Sequence, residues 1–234
     1  MTQVYRMADT GIKITSLYEG IHRMCGDYIS KSDPDFAVEI TEDDIASERG
    51  RSEGAELSGY SDAYIETLAV CRGISEKMPY FGAFLFHGSA IAVDGEAYIF
   101  TAASGVGKST HARLWREYLG GRAFMVNDDK PFIRPGDTPL VYGSPWDGKH
   151  KLSRNVSVPV KAIALLRRSE KNSVEPISYR EVFPALLRQA YRPSDPEALS
   201  KTLSLLDKLN VRFYSLCCNM EPEAAAVSYN GMKG

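Results

Sequence analysis

A chain of 234 residues can bury a substantial apolar core, in one large domain or in a core domain with a small appendage, which excludes a disulfide-stapled miniature scaffold. Its 28 Lys and Arg nearly balance 30 Asp and Glu, giving a formal net charge of -2, so the chain carries no electrostatic footprint for nucleic acid. No stretch reaches the apolar length needed to cross a bilayer, the start MTQVYRMADTGIKI has no apolar signal core, and Cys25, Cys71, Cys217 and Cys218 lack zinc-ligand spacing, all of which predicts a soluble cytoplasmic protein with reduced thiols and neither nucleic-acid nor membrane partners.

Up to about Tyr60, short β-type runs at Gly11 to Leu17 and Phe36 to Ile40 alternate with breaks at Glu42-Asp43-Asp44 and Arg49-Gly50-Arg51-Ser52. This predicts a small β-rich N-terminal appendage over residues 1–60, ahead of a main domain over residues 61–234. From Ser61 to Met78, Tyr64, Leu68, Ala69, Cys71 and Ile74 recur at helical spacing, and Pro79 then stops the helix.

Phe84 to Val93 and Glu96 to Thr101 read as strands joined by Asp94-Gly95, which supplies the positive φ angles of a tight hairpin turn. A glycine-rich loop follows, then a helix from Lys108 to Leu119 that Gly120-Gly121 ends, then a buried strand from Ala123 to Val126. Strand, loop, helix and strand in that order favour parallel strands with their C-terminal ends on one sheet edge, so the loop and Asp128-Asp129 should converge. Further strands are expected at Pro139 to Tyr142, Val160 to Leu166 and Val211 to Cys217. Helices are expected at Tyr179 to Tyr191, where Pro184 speaks against a single continuous piece, at Pro196 to Leu209 and at the C-terminus.

Ala102-Ala103-Ser104-Gly105-Val106-Gly107-Lys108-Ser109-Thr110 matches the Walker A pattern, with Ala102 in place of its first glycine. Gly105 and Gly107 let backbone amides turn inward as an anion nest, and the helix N-terminus near Lys108 adds partial positive charge. Ser104 to Thr110 therefore suit a triphosphate, with ATP and Mg²⁺ as expected cofactors. Lys108 can bridge the β- and γ-phosphates and the Ser109 hydroxyl can ligate Mg²⁺, Thr110 being the alternative ligand. A chance glycine turn beside a solvated lysine is the competing reading, against which the strand-to-helix context speaks.

Asn127-Asp128-Asp129 delivers two carboxylates after a buried run: one, Asp128 or Asp129, can take a proton from an acceptor hydroxyl while the other faces the metal. Turn propensity alone would also explain the tripeptide. His87, ending a strand before Gly88, reads by itself as a satisfied structural histidine. In the segment Ser144 to Arg154, Trp146 offers a stacking surface, and Lys149, with His150, Lys151 and Arg154, can neutralise phosphate or an acidic acceptor; Trp146 and Lys149 are the substrate candidates. Lys130 is either a surface charge or a phosphate contact, and Arg188 and Arg192 could reach a nucleotide.

The span from His87 to Asp129 resembles the catalytic domain of HPr serine kinase/phosphorylase, a relative of ATP-dependent phosphoenolpyruvate carboxykinases. His87-Gly88, the hairpin, the Ser104-Gly105-Val106-Gly107-Lys108-Ser109 loop and Asp128-Asp129 carry the likeness, over about a third of the chain. It implies an α/β fold with a P-loop kinase core, a mixed sheet and flanking helices. Lys108 and Ser109 would bind phosphate and metal, while His87, Asp128 and Asp129 would surround the reacting hydroxyl, Asp129 being the preferred base. The family's metal-binding glutamate followed by Arg-Gly is not recognisable in Tyr142-Gly143-Ser144-Pro145-Trp146-Asp147-Gly148-Lys149, and the N-terminal part is unlike the family's own extra domain.

The expectation is thus an ATP- and Mg²⁺-dependent kinase that moves the γ-phosphoryl group to a hydroxyl acceptor, whether a small metabolite, a peptide or a protein serine. A non-catalytic ATP-binding sensor or maturation partner is the alternative. Phosphorylase activity and phosphoenolpyruvate carboxykinase-like chemistry rank below it. The family analogy also suggests a homo-oligomer.

Overall fold

A computed structural model of the chain describes residues 1–51 and 59–234, so Ser52 of the expected Arg49 to Ser52 break lies outside the described residues. The chain begins with strand β1 (Thr2–Met7), which turns through Ala8 and Asp9, both at positive φ, into antiparallel β2 (Thr10–Thr15). β1 escapes sequence reading because only Tyr5 and Met7 of its six residues are buried, too short an alternation to register. Helix α1 (Gly20–Met24) and a 3-10 turn (Gly26–Tyr28) follow, and β3 (Phe36–Glu39) then pairs in parallel with β2.

The acidic run expected to be a break instead starts helix α2 (Glu42–Gly50). Thr41 accepts from the Asp44 amide while the Asp44 carboxylate accepts from the Thr41 amide at 2.9 Å, a reciprocal cap, and the three acids sit at the positive end of the helix. Helix α3 (Asp62–Lys77), capped by Ser61, buries Ile65, Ala69, Val70 and Ile74 along one side. Pro79 then converts the chain to a 3-10 turn over Met78–Phe81.

The remaining strands are β4 (Phe84–Leu85), β5 (Ser89–Val93), β6 (Glu96–Thr101), β7 (Ala123–Asn127), β8 (Phe132–Arg134), β9 (Leu140–Tyr142), β10 (Ser157–Arg168), β11 (Ser173–Ile177) and β12 (Arg212–Cys218). They make a mixed nine-stranded sheet in the order β4-β8-β9-β10-β6-β5-β7, with β12 on β10 and β11 on β12. The run expected as one strand from Phe84 to Val93 is split at Phe86 to Gly88, where the chain leaves the β8 edge to join β6. Asp94 and Gly95, both at positive φ, close the β5–β6 hairpin as expected. β6 and β7 run the same way but are not neighbours: β5 lies between them, antiparallel to both.

Helices α4 (Lys108–Leu119) and α7 (Glu223–Met232) cover one face, where Phe100, Trp115, Met125, Ala164 and Leu216 meet. Helices α5 (Tyr179–Gln189) and α6 (Pro196–Asp207) cover the other, over Ala92, Ile99, Val126, Ile163 and Leu186. Along β10 the parity changes: Val158 and Val160 face α5 and α6, whereas Ala162, Ala164 and Leu166 face α4 and α7. A register shift between Val160 and Ala162 accounts for the switch, because one extra residue turns every later side chain to the opposite face. Helix α5 runs through Pro184 rather than breaking there. The carbonyl of Arg180, which loses its helical donor, belongs to an exposed residue that water can serve.

The N-terminal sheet shares a core with the main sheet's edge: Ile12, Ile14, Ile65 and Ile74 cluster with Leu85, Phe132, Tyr142 and Trp146. Arg134 reaches across to the Ala8 carbonyl at 2.6 Å, and the Tyr142 hydroxyl donates to Asp9. Among the described residues no helix is long and apolar enough to cross a membrane, and all four cysteines are free thiols.

Candidate active site

Because β6, β7 and β10 share a direction, their C-terminal ends deliver the 102–107 loop, Asp128-Asp129 and Arg168 to one edge of the sheet. The loop turns on Gly105 (φ 75) and Gly107 (φ 123), angles at which a side chain would be strained. Ala102, in the expected glycine position, is not among the positive-φ residues and packs into the core, so alanine costs nothing there. Arg168 donates through its guanidinium to the carbonyls of Gly105 and Val106, pinning the loop from the end of β10.

Helix α4 starts at Gly107 with no side-chain cap and no acid in its first turn, unlike α2, α3, α5 and α6, which Thr41, Ser61, Ser178 and Asp195 cap. Its leading amides and its dipole are left facing a cleft of about 770 Å³. Lys108 is buried, its ammonium donating to the Ala102 carbonyl at 3.0 Å. Burial lowers its pKa, and Asp129 and Asp128 work against that.

Asp128 and Asp129 follow the buried Asn127, whose side chain braces the turn that carries them. The Asn127 side-chain oxygen accepts from the amides of Asp129 (2.8 Å) and Lys130 (2.7 Å), while its nitrogen donates to the carbonyls of Ser144 and Trp146. Asp147 completes the frame by accepting from the amides of Asp128, Gly148 and Ser153. Gly143 permits the approach, since a Cβ there would stand 1.8 Å from the Arg154 carbonyl.

The two carboxylates have opposite electrostatics. Burial raises the Asp128 pKa above the ordinary value, against hydrogen bonds from Ser89, at 2.7 Å, and Ser109. Burial also opposes the charge on Asp129, but His87 and Lys130 outweigh it and hold that carboxyl at about 2. His87 Nδ1 lies 3.1 Å from one Asp129 oxygen and Lys130 Nζ 2.6 Å from the other. His87 itself is fixed by backbone: its amide donates to the Gln189 carbonyl, and the Thr101 hydroxyl donates to its carbonyl.

The structure brings His87, Ser104, Gly105, Gly107, Lys108, Ser109, Thr110, Asp128, Asp129 and Lys149 to the wall of one cleft. Val106, in the same loop, packs against the α4 side of the core instead. Trp146 is 5% exposed and donates its indole N–H to the Thr67 carbonyl of α3, so the ring is mostly covered, and it lines a neighbouring cleft instead of this one. Lys130 is the ion-pair partner of Asp129 and lines a neighbouring cleft instead of this one, and Arg188 and Arg192 line neither. The guanidinium of Arg154 lies over the Phe124 ring at 4.6 Å.

Sequence reading missed Ser89, Asn127, Asp147 and Arg168. The one available signal was an asparagine at the end of a buried strand, directly before the acidic pair. Among the described residues no three His, Cys, Asp or Glu cluster as a self-sufficient metal cage. Ser109 and Asp128 together offer a hydroxyl and a carboxylate, hard oxygen donors of the kind Mg²⁺ takes when phosphate and water complete its shell.

No family model and no curated protein matches the sequence. Among solved structures, the HPr(Ser) kinase/phosphatase from Coxiella burnetii aligns with 64% of this chain and 99% of its own, at 12% sequence identity and a TM-score of 0.36. At that level the likeness carries no functional information.

Proposed function

We propose that the chain is an ATP- and Mg²⁺-dependent kinase that transfers the γ-phosphoryl group to a hydroxyl acceptor. The observation that carries this reading is the meeting, in one cleft, of an uncapped helix start behind a positive-φ glycine loop with two carboxylates of opposite pKa displacement and a histidine. The loop amides and Lys108 hold the β- and γ-phosphates. Ser109 and Asp128 would hold Mg²⁺, which neutralises charge on the transferring group when bound.

Asp129 stands where the acceptor arrives, and its low pKa keeps it ionised at neutral pH. The acceptor oxygen forms its bond to the γ-phosphorus as the bond to the β–γ bridging oxygen breaks. ADP leaves with that electron pair, and the hydroxyl proton passes to Asp129. His87 aligns the receiving carboxylate, and the proton then departs to solvent. A weak base suits a loose transition state, in which the hydroxyl loses its proton late.

Incubation of purified protein with γ-labelled ATP, Mg²⁺ and a cell extract tests the reading. A labelled acceptor that disappears in Asp129→Asn supports transfer. Nucleotide binding with no labelled acceptor would favour an ATP-binding sensor instead.

A further inference from the structure

Behind the first cleft lies a second, of about 780 Å³, walled by residues 20–28, by α3 and by the 144–155 loop. Asp129, Gly148 and Lys149 line both clefts, so the carboxylate read as the base stands at their junction. We propose that this second cleft is the acceptor subsite and that it takes a small hydroxyl compound bearing a carboxylate or phosphate group. The direction of transfer rests on the kinase reading above; the binding site itself does not.

The wall holds unused hydrogen-bonding capacity. Tyr28 is 5% exposed, its ring in the N-terminal core, yet its hydroxyl has no hydrogen-bond partner among the described residues. Ser153 Oγ is buried and likewise unpaired. For Ser153 the missing partner carries a desolvation penalty that a ligand hydroxyl or carboxylate would relieve, whereas the Tyr28 hydroxyl is open to solvent and free to bond a ligand. Neither residue touches the phosphate loop.

Unspent hydrogen-bond donors set the ligand's chemistry. Asp147 spends both oxygens on backbone amides, Asp129 is held by His87 and Lys130, and Arg23 pairs with Glu19. Among the described residues of the wall this leaves Lys149 and Lys151 unpaired against one unpaired acid, Asp27. Asp147 keeps its charge but has no acceptor to spare, so the unspent charged donors of the wall are the Lys149 and Lys151 ammonium groups, which suit a ligand carboxylate or phosphate, with Asp27 available to a ligand hydroxyl or amine. Lys151 also holds φ at 49°, a backbone conformation that glycine or asparagine adopts at lower cost, so a charged side chain sits here despite local strain. The volume lies within the range of small-ligand clefts.

Because Lys151 and Tyr28 line only the second cleft, Lys151→Gln and Tyr28→Phe separate acceptor binding from nucleotide binding. The probes are hydroxy acids and phosphate monoesters of three to six carbons, from glycerate and glycerol 3-phosphate upward, with glycerol and glucose as neutral controls, titrated calorimetrically without nucleotide. At least one anionic probe should bind while the neutral controls do not, and each variant should weaken that binding about tenfold while leaving Mg·ATP affinity unchanged. The acid and ester series tell carboxylate from phosphate recognition, and Lys151→Arg should restore binding. Binding of no anionic probe, equal binding of the polyols, or indifference to both variants would overturn the assignment. Loss of Mg·ATP binding or turnover in the unaltered protein would count against the kinase reading alone.

Discussion

Nδ1 of His87 stands 3.1 Å from an oxygen of Asp129, whose other oxygen takes the Lys130 ammonium at 2.6 Å. The carboxylate is thereby held ionised and oriented from both sides, one contact from the split between β4 and β5 and one from its own chain neighbour. His87→Ala frees one oxygen without removing the charge. Turnover should fall about a hundredfold, on the scale of a positioned proton-transfer group, while the KM for ATP changes little. Steady-state kinetics with ATP varied separate these effects; parallel loss of folding and activity would point to a purely structural histidine.

Asp128 takes hydrogen bonds from Ser89 and Ser109 and points to the phosphate side. Asp128→Asn should raise the Mg²⁺ concentration for half-maximal activity by about ten- to a hundredfold, the range for disturbing a metal site's ligand frame. A Mg²⁺ titration at fixed ATP reads this, and chelation of the metal should stop turnover in the unaltered protein.

Asn127 is fully buried and serves five hydrogen-bonding groups, among them the Asp129 amide, so it positions that acid without lining the cleft. Asn127→Ala strands the amides of Asp129 and Lys130. Stability should drop by roughly 2 to 4 kcal/mol in urea titrations, the cost of several unsatisfied buried groups.

How much of this was legible beforehand depended on range. The phosphate loop, α4 and the acidic pair are contiguous in sequence and governed by local geometry, and the common direction of β6 and β7 followed from the crossover between them. Insertion of β5 between those strands is a matter of pairing partners, on which the sequence of β6 is silent. β11 was missed because Ser173 to Ile177 is a mostly exposed edge strand containing Pro176, where proline removes a donor nothing else needs. The setting of Trp146 is hidden for a similar reason: a tryptophan among lysines reads as an open platform until α3, some eighty residues earlier, is seen to cover most of the ring.

His111 offers a pH test of the core. Ser228 Oγ donates to the Ala224 carbonyl and accepts from Trp115 Nε1, so His111 Nε2, 3.0 Å away, supplies a second N–H and leaves Nδ1 buried and unprotonated. Burial pushes the His111 pKa down to about 4. Between about pH 6.5 and about 4 the unfolded chain therefore binds a proton that the folded chain does not, and stability falls as pH drops through that window, by up to about 3 kcal/mol. Urea unfolding at pH 7 and pH 4.5 should show this loss, and His111→Gln should flatten it.

Calorimetric titration of Mg·ATP into the protein and into Lys108→Ala tests the central claim most directly, because it needs no acceptor. The unaltered protein should bind one nucleotide per chain. Removal of the buried ammonium should weaken binding by a few kcal/mol, on the scale of one lost electrostatic donor in a water-poor site. No binding to the unaltered protein, or equal binding by both, would contradict a phosphate-holding role for the 102–110 loop.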